Sequence, residues 1–321
     1  MKDINIVFLN YLMKDDILRA VDSVLKDIQN CPYDVQITVA DNSENKDSIK
    51  EALLSSFRVS PKDDEESFEE KASDDTKNIF ERKNVDSERS LTLRVRDDIT
   101  YIDCGGNIGF GKGNNKGFKA TEARYYFALN RDTIIPENSR TIERLIKYMD
   151  DHEKIGCIGP KLLNMDGTLQ YSCYRFDLPS ILIKPLKHIN FDRKYKWIKR
   201  HADKLEMKDF DHNETRPVDW VLGAAMIVRK EVVEEVGWFD EDRYFMYLED
   251  CDWCRRMWEA GWPVYYVHDI IIRHVHARES AKVPGIFKAL FKNKLARIHA
   301  KSWWQYLWKW QGNHKYYRAG K

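Results

Sequence analysis

Three consecutive segments decide the fold: Ile4-Asn-Ile-Val-Phe-Leu9, Asp15-Asp-Ile-Leu-Arg-Ala-Val-Asp-Ser-Val-Leu-Lys-Asp-Ile28 and Val35-Gln-Ile-Thr-Val-Ala40. The first and third are short apolar runs typical of buried strands, and the second repeats its apolar residues at helical spacing. A strand, a helix and a strand within about forty residues form a βαβ unit, which places two parallel strands in one sheet. We therefore predict an α/β fold with a mixed, mainly parallel central sheet flanked by helices.

Polar residues follow both strands of this unit. Asn10 and Tyr11 come after the first strand, and Asp41 comes directly after the second. In open parallel sheets, ligands bind at the carboxyl ends of the strands. These three residues are therefore candidates for a ligand site.

The composition favours a protein of a reducing compartment. The 321 residues carry a net charge of +1 and six cysteines without disulfide-like spacing. No apolar run approaches the ~20 residues of a membrane-spanning helix, and the start is too short and wrongly flanked for a signal peptide. We expect a cytoplasmic location. Cys251 and Cys254 match a CxxC spacing, but without a second such pair we interpret them as helix-packing thiols.

Charge is distributed unevenly along the chain. Segment 59–96 is highly charged and lacks sustained periodicity, so we predict an insertion within a domain spanning 1–280. The helical tail 281–321 is basic and aromatic, with ten Lys/Arg and no Asp or Glu. Such a tail suits an anionic membrane surface. We expect no nucleic-acid partner, because the acidic body would repel phosphate. A tail packed back on the domain through its tryptophans accounts equally well for the pattern.

Glycine is concentrated in Cys104-Gly-Gly-Asn-Ile-Gly-Phe-Gly-Lys-Gly-Asn-Asn-Lys-Gly117. The segment narrowly misses two phosphate-binding patterns. Its GxxxxGK match places Gly113 where a Ser/Thr would hold magnesium, and its third glycine comes too early for GxGxxG. The missing Walker loop argues against a kinase-like protein. A binding loop and a purely structural turn both remain open.

Two later segments add oxygen donors and small residues. Asn130 and Asp132 follow the predicted strand 123–129, and their oxygens suit a hard cation such as Mg²⁺ or Mn²⁺. A polar turn at the strand end is the alternative. In the predicted strand 219–228, Gly223 and Ala224 leave room for a substrate against the backbone.

An amphipathic helix is predicted over 249–260, with Glu249, Asp250 and Asp252 in its first turn. Carboxylates at this place can simply complement the helix dipole. Alternatively, one of them is a general base, brought near His274 by the apolar strand that follows.

Taken in order, these segments resemble the inverting nucleotide-sugar glycosyltransferases of family 2, which have the GT-A (Rossmann-like) fold. The similarity is greatest to bacterial rhamnosyl- and galactofuranosyltransferases of surface polysaccharides. The motifs that carry the resemblance are Asn10-Tyr11, Ala40-Asp-Asn-Ser43, Asn107-Ile-Gly-Phe-Gly-Lys-Gly-Asn-Asn115, Leu129-Asn-Arg-Asp-Thr133, Gly223-Ala-Ala-Met226, Gly237-Trp-Phe-Asp240, Glu249-Asp-Cys-Asp252 and His274.

The resemblance implies transfer of rhamnose or another hexose from a nucleoside-diphosphate sugar to a saccharide or lipid-linked saccharide acceptor. It implies Asp250 as catalytic base and Mn²⁺ or Mg²⁺ as cofactor, held by Asp132 and His274 with Asn130 nearby. The residues expected to contact the nucleotide sugar are Asn10, Tyr11, Asp41, Asn107, Gly113, Asn114, Arg131, Gly223 and Ala224.

The chemistry of the residues agrees with this assignment. Transfer needs a base for the acceptor hydroxyl and positive charge beside the leaving diphosphate. A single base without a carboxylate nucleophile implies direct displacement with inversion. Glu249 and Asp252 remain rivals of Asp250, and Asn130 stands where the family usually has a carboxylate. A catalytically silent GT-A scaffold is the alternative function.

Overall fold

The computed structural model describes residues 1–57, 92–176, 195–275 and 294–313. The strands in chain order are β1 (Lys2–Asn10), β2 (Val35–Asp41), β3 (Thr92–Arg96), β4 (Ile99–Asp103), β5 (Ala123–Leu129), β6 (Thr133–Ile134), β7 (Cys157–Leu163), β8 (Leu169–Gln170), β9 (Cys173–Tyr174), β10 (Arg216–Pro217), β11 (Trp220–Val221), β12 (Ala225–Arg229) and β13 (Val264–His274). The helices are α1 (Lys14–Asp27), α2 (Ile49–Phe57), α3 (Phe110–Lys119), α4 (Thr141–Asp151), α5 (Lys196–Leu205), α6 (Lys230–Val236), α7 (Glu249–Glu259) and α8 (Lys294–Lys309).

The central sheet has the strand order β10-β13-β7-β12-β5-β1-β2-β4-β3, with β6 beside β13 and β8 beside β7. Strand β1 runs parallel to β2 and β5, β2 runs parallel to β4, and β7 runs parallel to β13. Strand β12 lies antiparallel between β5 and β7. The predicted mixed, mainly parallel sheet is therefore confirmed.

The predicted βαβ unit forms because its apolar residues fit the two periodicities. Alternate side chains of β1 leave opposite faces of the sheet. Ile6 and Phe8 are fully buried in the same core cluster as Val21 of α1. Val7 belongs to the cluster on the other side of the sheet. Both faces of β1 are covered, so its carboxyl end is held rigidly at the edge where Asn10 lies.

Two sequence interpretations need correction. The glycine segment is a short loop followed by helix α3, because the glycines from Gly111 onward are helical. The predicted strand 219–228 is interrupted between β11 and β12. The break has a physical cause, since the amide of Gly223 donates a hydrogen bond to Asp250 Oδ2 (2.9 Å) instead of to a neighbouring strand.

The predicted insertion 59–96 lies mostly outside the described residues. Its last residues form β3, which pairs antiparallel with β4 at the end of the sheet. The described part of the tail is helix α8, and it packs on the body of the protein through Tyr306, which is 1% exposed. In the part of the chain that the structure describes, no helix is both long and apolar enough to cross a membrane.

Candidate active site

Asp41 organises the carboxyl end of β2. Its carboxylate accepts hydrogen bonds from the side chains of Asn10 (2.9 Å), Ser43 (2.6 Å) and Tyr101 (3.0 Å), and from the amides of Ser43 (2.9 Å) and Asn45 (2.7 Å). Asp41 is fully buried. These donors satisfy both carboxylate oxygens, so Asp41 and Asn10 fix the loop after β2. Contact of either residue with a nucleotide base stays a prediction.

Asp250 lies at the start of α7 and is 8% exposed. Its Oδ1 atom accepts a hydrogen bond from the amide of Cys251 (2.8 Å) in the first helical turn, where the helix dipole favours a carboxylate. Its Oδ2 atom accepts the amide of Gly223 (2.9 Å), which lies outside the helix. A side chain at Gly223 would crowd this contact, since its Cβ would lie 3.2 Å from Asp250 Cβ. The carboxylate is thus held against the break between β11 and β12.

The two neighbouring carboxylates have different surroundings. Asp252 is fully buried and accepts hydrogen bonds from Arg256, Lys309 and Trp310, each at 2.9 Å. Glu249 is also buried, and burial, followed by the charges of Asp250 and Asp252, raises its pKa well above the usual range. Asp252 is engaged in structural contacts, and the buried surroundings of Glu249 favour its protonated form. The geometry therefore favours Asp250 among the three as a proton acceptor.

Strand β13 brings His274 to Asp132, with Nε2 lying 3.2 Å from Oδ1. The other ring nitrogen, Nδ1, lies 3.0 Å from Gln170 Oε1. The contact of Nδ1 with Gln170 fixes the orientation of the ring, with Nε2 toward Asp132. Burial alone would raise the pKa of Asp132. The hydrogen bond with His274, the charge of His274 and the charge of Arg131 outweigh burial and lower this pKa below its usual value.

Asp132 and His274 fit a divalent cation in chemistry and spacing. Oxygen and imidazole donors suit Mn²⁺, and two donors at about 2.1 Å from one ion at a right angle lie about 3 Å apart. Asn130 lies two residues before Asp132. Within the described residues, no group of three or more His, Cys, Asp or Glu side chains could hold an ion by itself. Further ligands would have to come from other groups, such as a bound diphosphate.

Backbone contacts connect Asp250, the predicted base, to the segment that carries Asp132. The amide of Asn130 donates to the carbonyl of Ala224 (2.8 Å), because the antiparallel pairing of β12 with β5 brings the start of one strand to the end of the other. Ala224 follows Gly223, the hydrogen-bond partner of Asp250. The structure therefore places the predicted base, the small residues and the predicted metal ligands in one continuous region.

The remaining predicted nucleotide contacts divide into exposed and buried residues. Tyr11 is 43% exposed, and Asn107 is exposed in the loop before α3. Gly113 and Asn114 are buried within α3, where Asn114 bonds the carbonyl of Phe110 (2.9 Å). Arg131 has a buried Nε atom without a hydrogen-bond partner among the described residues. The buried pair shapes the helix, whereas the exposed side chains are the ones a ligand could reach directly.

The sequence analysis missed several residues of the site. Gln170 orients His274, but its short strand β8 carries no recognisable motif. Tyr101 donates to Asp41 from the neighbouring strand β4. These residues come close to their partners only through strand pairing. A predicted parallel pairing of β2 with β4 would have indicated that Tyr101 lies near Asp41.

Comparison with known proteins identifies the family of this chain. Residues 89–300 match the family described as "Glycosyltransferase like family 2". The chain belongs to this glycosyltransferase family.

Similar proteins include the N-acetylglucosaminyl-diphospho-decaprenol L-rhamnosyltransferase of Mycobacterium tuberculosis (strain ATCC 25618 / H37Rv), which is 26% identical over 72% of this chain and 78% of its own length. Rhamnosyltransferase WbbL of Escherichia coli (strain K12) is 29% identical over 74% of this chain and 84% of its own length. These relatives place the chain in the rhamnosyltransferase-like branch of the family.

A solved structure of GalNAc-T7 with UDP, GalNAc and Mn²⁺ matches 86% of this chain with a TM-score of 0.52 and 13% identity. The match covers 43% of that longer chain. This likeness confirms the predicted GT-A fold.

Proposed function

We propose that this glycosyltransferase moves rhamnose or another hexose from a nucleoside-diphosphate sugar to a hydroxyl of a saccharide acceptor, with inversion at the anomeric carbon. The observation that carries the proposal is the placement of Asp250. Its carboxylate is held by the Gly223 amide, one residue from the Ala224 carbonyl that binds Asn130. The rhamnosyltransferase relatives support the choice of sugar.

Asp250 would accept the proton of the acceptor hydroxyl as its oxygen attacks the anomeric carbon. The bond from that carbon to the diphosphate breaks at the same time, and the diphosphate leaves with the electron pair. Asp252 is engaged by Arg256, Lys309 and Trp310, and burial raises the pKa of Glu249, so these surroundings support Asp250 as the base. One carboxylate supports direct displacement rather than the two-step route of retaining enzymes.

Asp132 and His274 would hold Mn²⁺ or Mg²⁺ beside the diphosphate of the donor. When bound, the cation supplies positive charge that stabilises the leaving group. Gln170 fixes the orientation of His274, and Arg131 adds a second positive charge next to Asp132. These residues would bind and orient the donor, while Asp250 would accept the proton of the acceptor hydroxyl. The solved structure of GalNAc-T7 with UDP, GalNAc and Mn²⁺ supports a divalent cation in this fold.

The acceptor we propose is a lipid-linked saccharide at the cytoplasmic face of an anionic membrane. The Mycobacterium relative is named for a diphospho-decaprenol acceptor. A carrier of this kind keeps its lipid in the bilayer, so the enzyme must work at the membrane surface. The proposed place of action is therefore cytoplasmic and peripheral to the membrane.

A thermal-shift experiment tests the donor site. The wild-type protein is measured with UDP, dTDP, GDP and CMP, each with and without Mn²⁺. One nucleotide at a hundredfold excess over its Kd should stabilise the protein by about 2.7 kcal/mol in the presence of Mn²⁺. Asp132→Asn should remove the Mn²⁺-dependent part, because it removes a charged ligand. Asp250→Asn should keep this shift and abolish sugar transfer from the matching donor.

The matched control is Asp97→Asn, because the side chain of Asp97 is 98% exposed on the surface. It should behave like the wild type in both assays. Absence of a shift with every nucleotide would favour the silent scaffold instead. Full transfer activity in Asp250→Asn would refute the assignment of the base.

A further inference from the structure

Helix α8 has one face fixed to the protein. Ser302 donates a hydrogen bond to the carbonyl of Met246 (2.7 Å), and the hydroxyl of the buried Tyr306 accepts a hydrogen bond from Arg255 (3.0 Å). Near its end, Lys309 lies 2.8 Å from Asp240. These contacts recur every three to four residues, as expected for one side of a helix. The helix is therefore preformed and held in one orientation.

The opposite face of α8 is exposed. We call the α8 stripe the residues Lys294, Arg297, Lys301, Trp304 and Trp308, which repeat at spacings of three and four and are all exposed. Trp304 is 63% exposed and Trp308 is 61% exposed. Two large aromatic side chains in water on one helix face mark an interaction surface rather than a packing surface.

The chemistry of the stripe selects its partner. Its first half presents cationic side chains and its second half presents indoles, and the segment 294–313 contains no Asp or Glu. Tryptophan favours the boundary between water and lipid, where its ring is apolar and its N–H stays hydrated. Lysine and arginine beside it are attracted to anionic headgroups. A nucleic acid would use the cations but would leave both indoles without bases unless it were single-stranded.

We propose that the α8 stripe is a docking surface for an anionic phospholipid bilayer. The proposal deepens the proposed function, because it names the face that would meet a membrane carrying a lipid-linked acceptor. Docking needs no folding step, since the other face of α8 already holds the helix in place. The indoles enter the headgroup region and the cations pair with lipid phosphates.

The same helix contacts the segment that precedes the proposed base. Ser302 binds the carbonyl of Met246, and the ring of His299 stacks on Tyr247 at 4.4 Å between centroids. Helix α7 begins two residues after Tyr247 and carries Asp250. Through these contacts, docking of α8 also fixes the position of the proposed active site relative to the bilayer surface.

Vesicle co-sedimentation of the full chain tests the proposal. The probes are phosphatidylcholine vesicles with and without phosphatidylglycerol, and no sugar donor is added. The wild type should bind the anionic vesicles. Lys294→Glu/Lys301→Glu should weaken this binding by about thirtyfold or more, because each basic residue near the surface contributes about 1 kcal/mol. Trp304→Ala/Trp308→Ala should weaken it by about tenfold or more.

Two matched controls use the same chemistry elsewhere on the surface. Trp197→Ala removes an indole that is 55% exposed on α5, and Lys119→Glu/Lys154→Glu reverses two exposed charges. Both should bind vesicles like the wild type. Added salt should weaken wild-type binding, because it screens the charges.

The proposal is overturned if the wild type does not bind anionic vesicles or binds neutral vesicles equally well. It is also overturned if the α8 stripe variants bind anionic vesicles as strongly as their controls. Binding to single-stranded nucleic acid in preference to vesicles would also overturn it. The nucleotide thermal shift is measured on the same samples. A normal shift without vesicle binding rejects the docking surface alone, whereas vesicle binding without any shift rejects the donor site alone.

Discussion

Glu249 occupies the first position of α7 and is 5% exposed. Its Oε2 atom has no hydrogen-bond partner among the described residues. Burial and the neighbouring charges of Asp250 and Asp252 raise its pKa, so the folded protein keeps a proton that the unfolded chain releases above about pH 4.3. The stability of the wild type should therefore fall as the pH rises between the unfolded pKa and the higher folded pKa.

Glu249→Gln should remove this pH dependence, because a neutral amide of the same shape replaces the acid. Compared with the wild type, the variant should gain stability as the pH rises through this range, by at most about 1.4 kcal/mol per pH unit. Denaturant unfolding at several pH values measures the difference. Glu153→Gln, on the exposed surface, is the control and should leave the profile unchanged. Parallel profiles for Glu249→Gln and the wild type would contradict the assignment.

Individual residues of the site could be predicted only where a motif carries them. Asp132 and His274 were predicted as partners, and the structure brings their side chains to 3.2 Å. Asp250 and Asp252 have the same chemistry and the same helix turn in the sequence. Their difference comes from Lys309 and Trp310, which lie far along the chain and donate hydrogen bonds to Asp252. Sequence reasoning alone therefore left both residues open as the base.

At the scale of elements, the glycines of α3 allow it to pack closely on the sheet. A Cβ at Gly117 would lie 2.4 Å from Val7 Cγ1 on β1. Valine is branched at Cβ and cannot swing its methyl groups aside easily. This contact explains why position 117 is glycine although glycine is an unfavourable helix residue.

Gly117→Ala should destabilise the protein by about 1–3 kcal/mol through overpacking, despite a helix-propensity gain of about 1 kcal/mol. Urea unfolding measures the loss. Val7→Ala provides the space that the added methyl group needs, so the double variant should be more stable than the sum of the two single effects predicts. Additive effects would show that the helix shifts freely and that the close contact is unimportant.

Most elements follow from local patterns, and the exceptions have tertiary causes. Strand β5 occupies 123–129 as predicted, because its apolar run is continuous and buried. The apolar pattern 219–228 is also continuous, yet the strand is interrupted there because Asp250 accepts a hydrogen bond from the amide of Gly223. The predicted insertion includes strand β3. This edge strand has only five residues, and its side chains alternate between buried and exposed, so it lacks a sustained apolar run. Such features depend on partners that no local window contains.

At the scale of the whole molecule, the described tail is part of the domain surface. Lys309 bridges Asp240 (2.8 Å) and Asp252 (2.9 Å), although the two aspartates belong to different segments of the body. The Asp252 side chain is fully buried and that of Lys309 is 21% exposed. Of the two alternatives left open for the tail, packing on the domain is therefore observed for helix α8. The exposed α8 stripe leaves membrane contact compatible with this packing.

Lys309→Met should lower the free energy of unfolding by about 1–3 kcal/mol, because Asp252 loses one cation but keeps Arg256 and Trp310. Loss of the bridge should also increase amide hydrogen exchange in α8, since the helix end is released from Asp240. Lys301→Met is the matched control, as Lys301 is exposed on the opposite face of the same helix. Equal stability and equal exchange in the two variants would show that the Lys309 bridge contributes nothing and that the other contacts of α8 hold the helix.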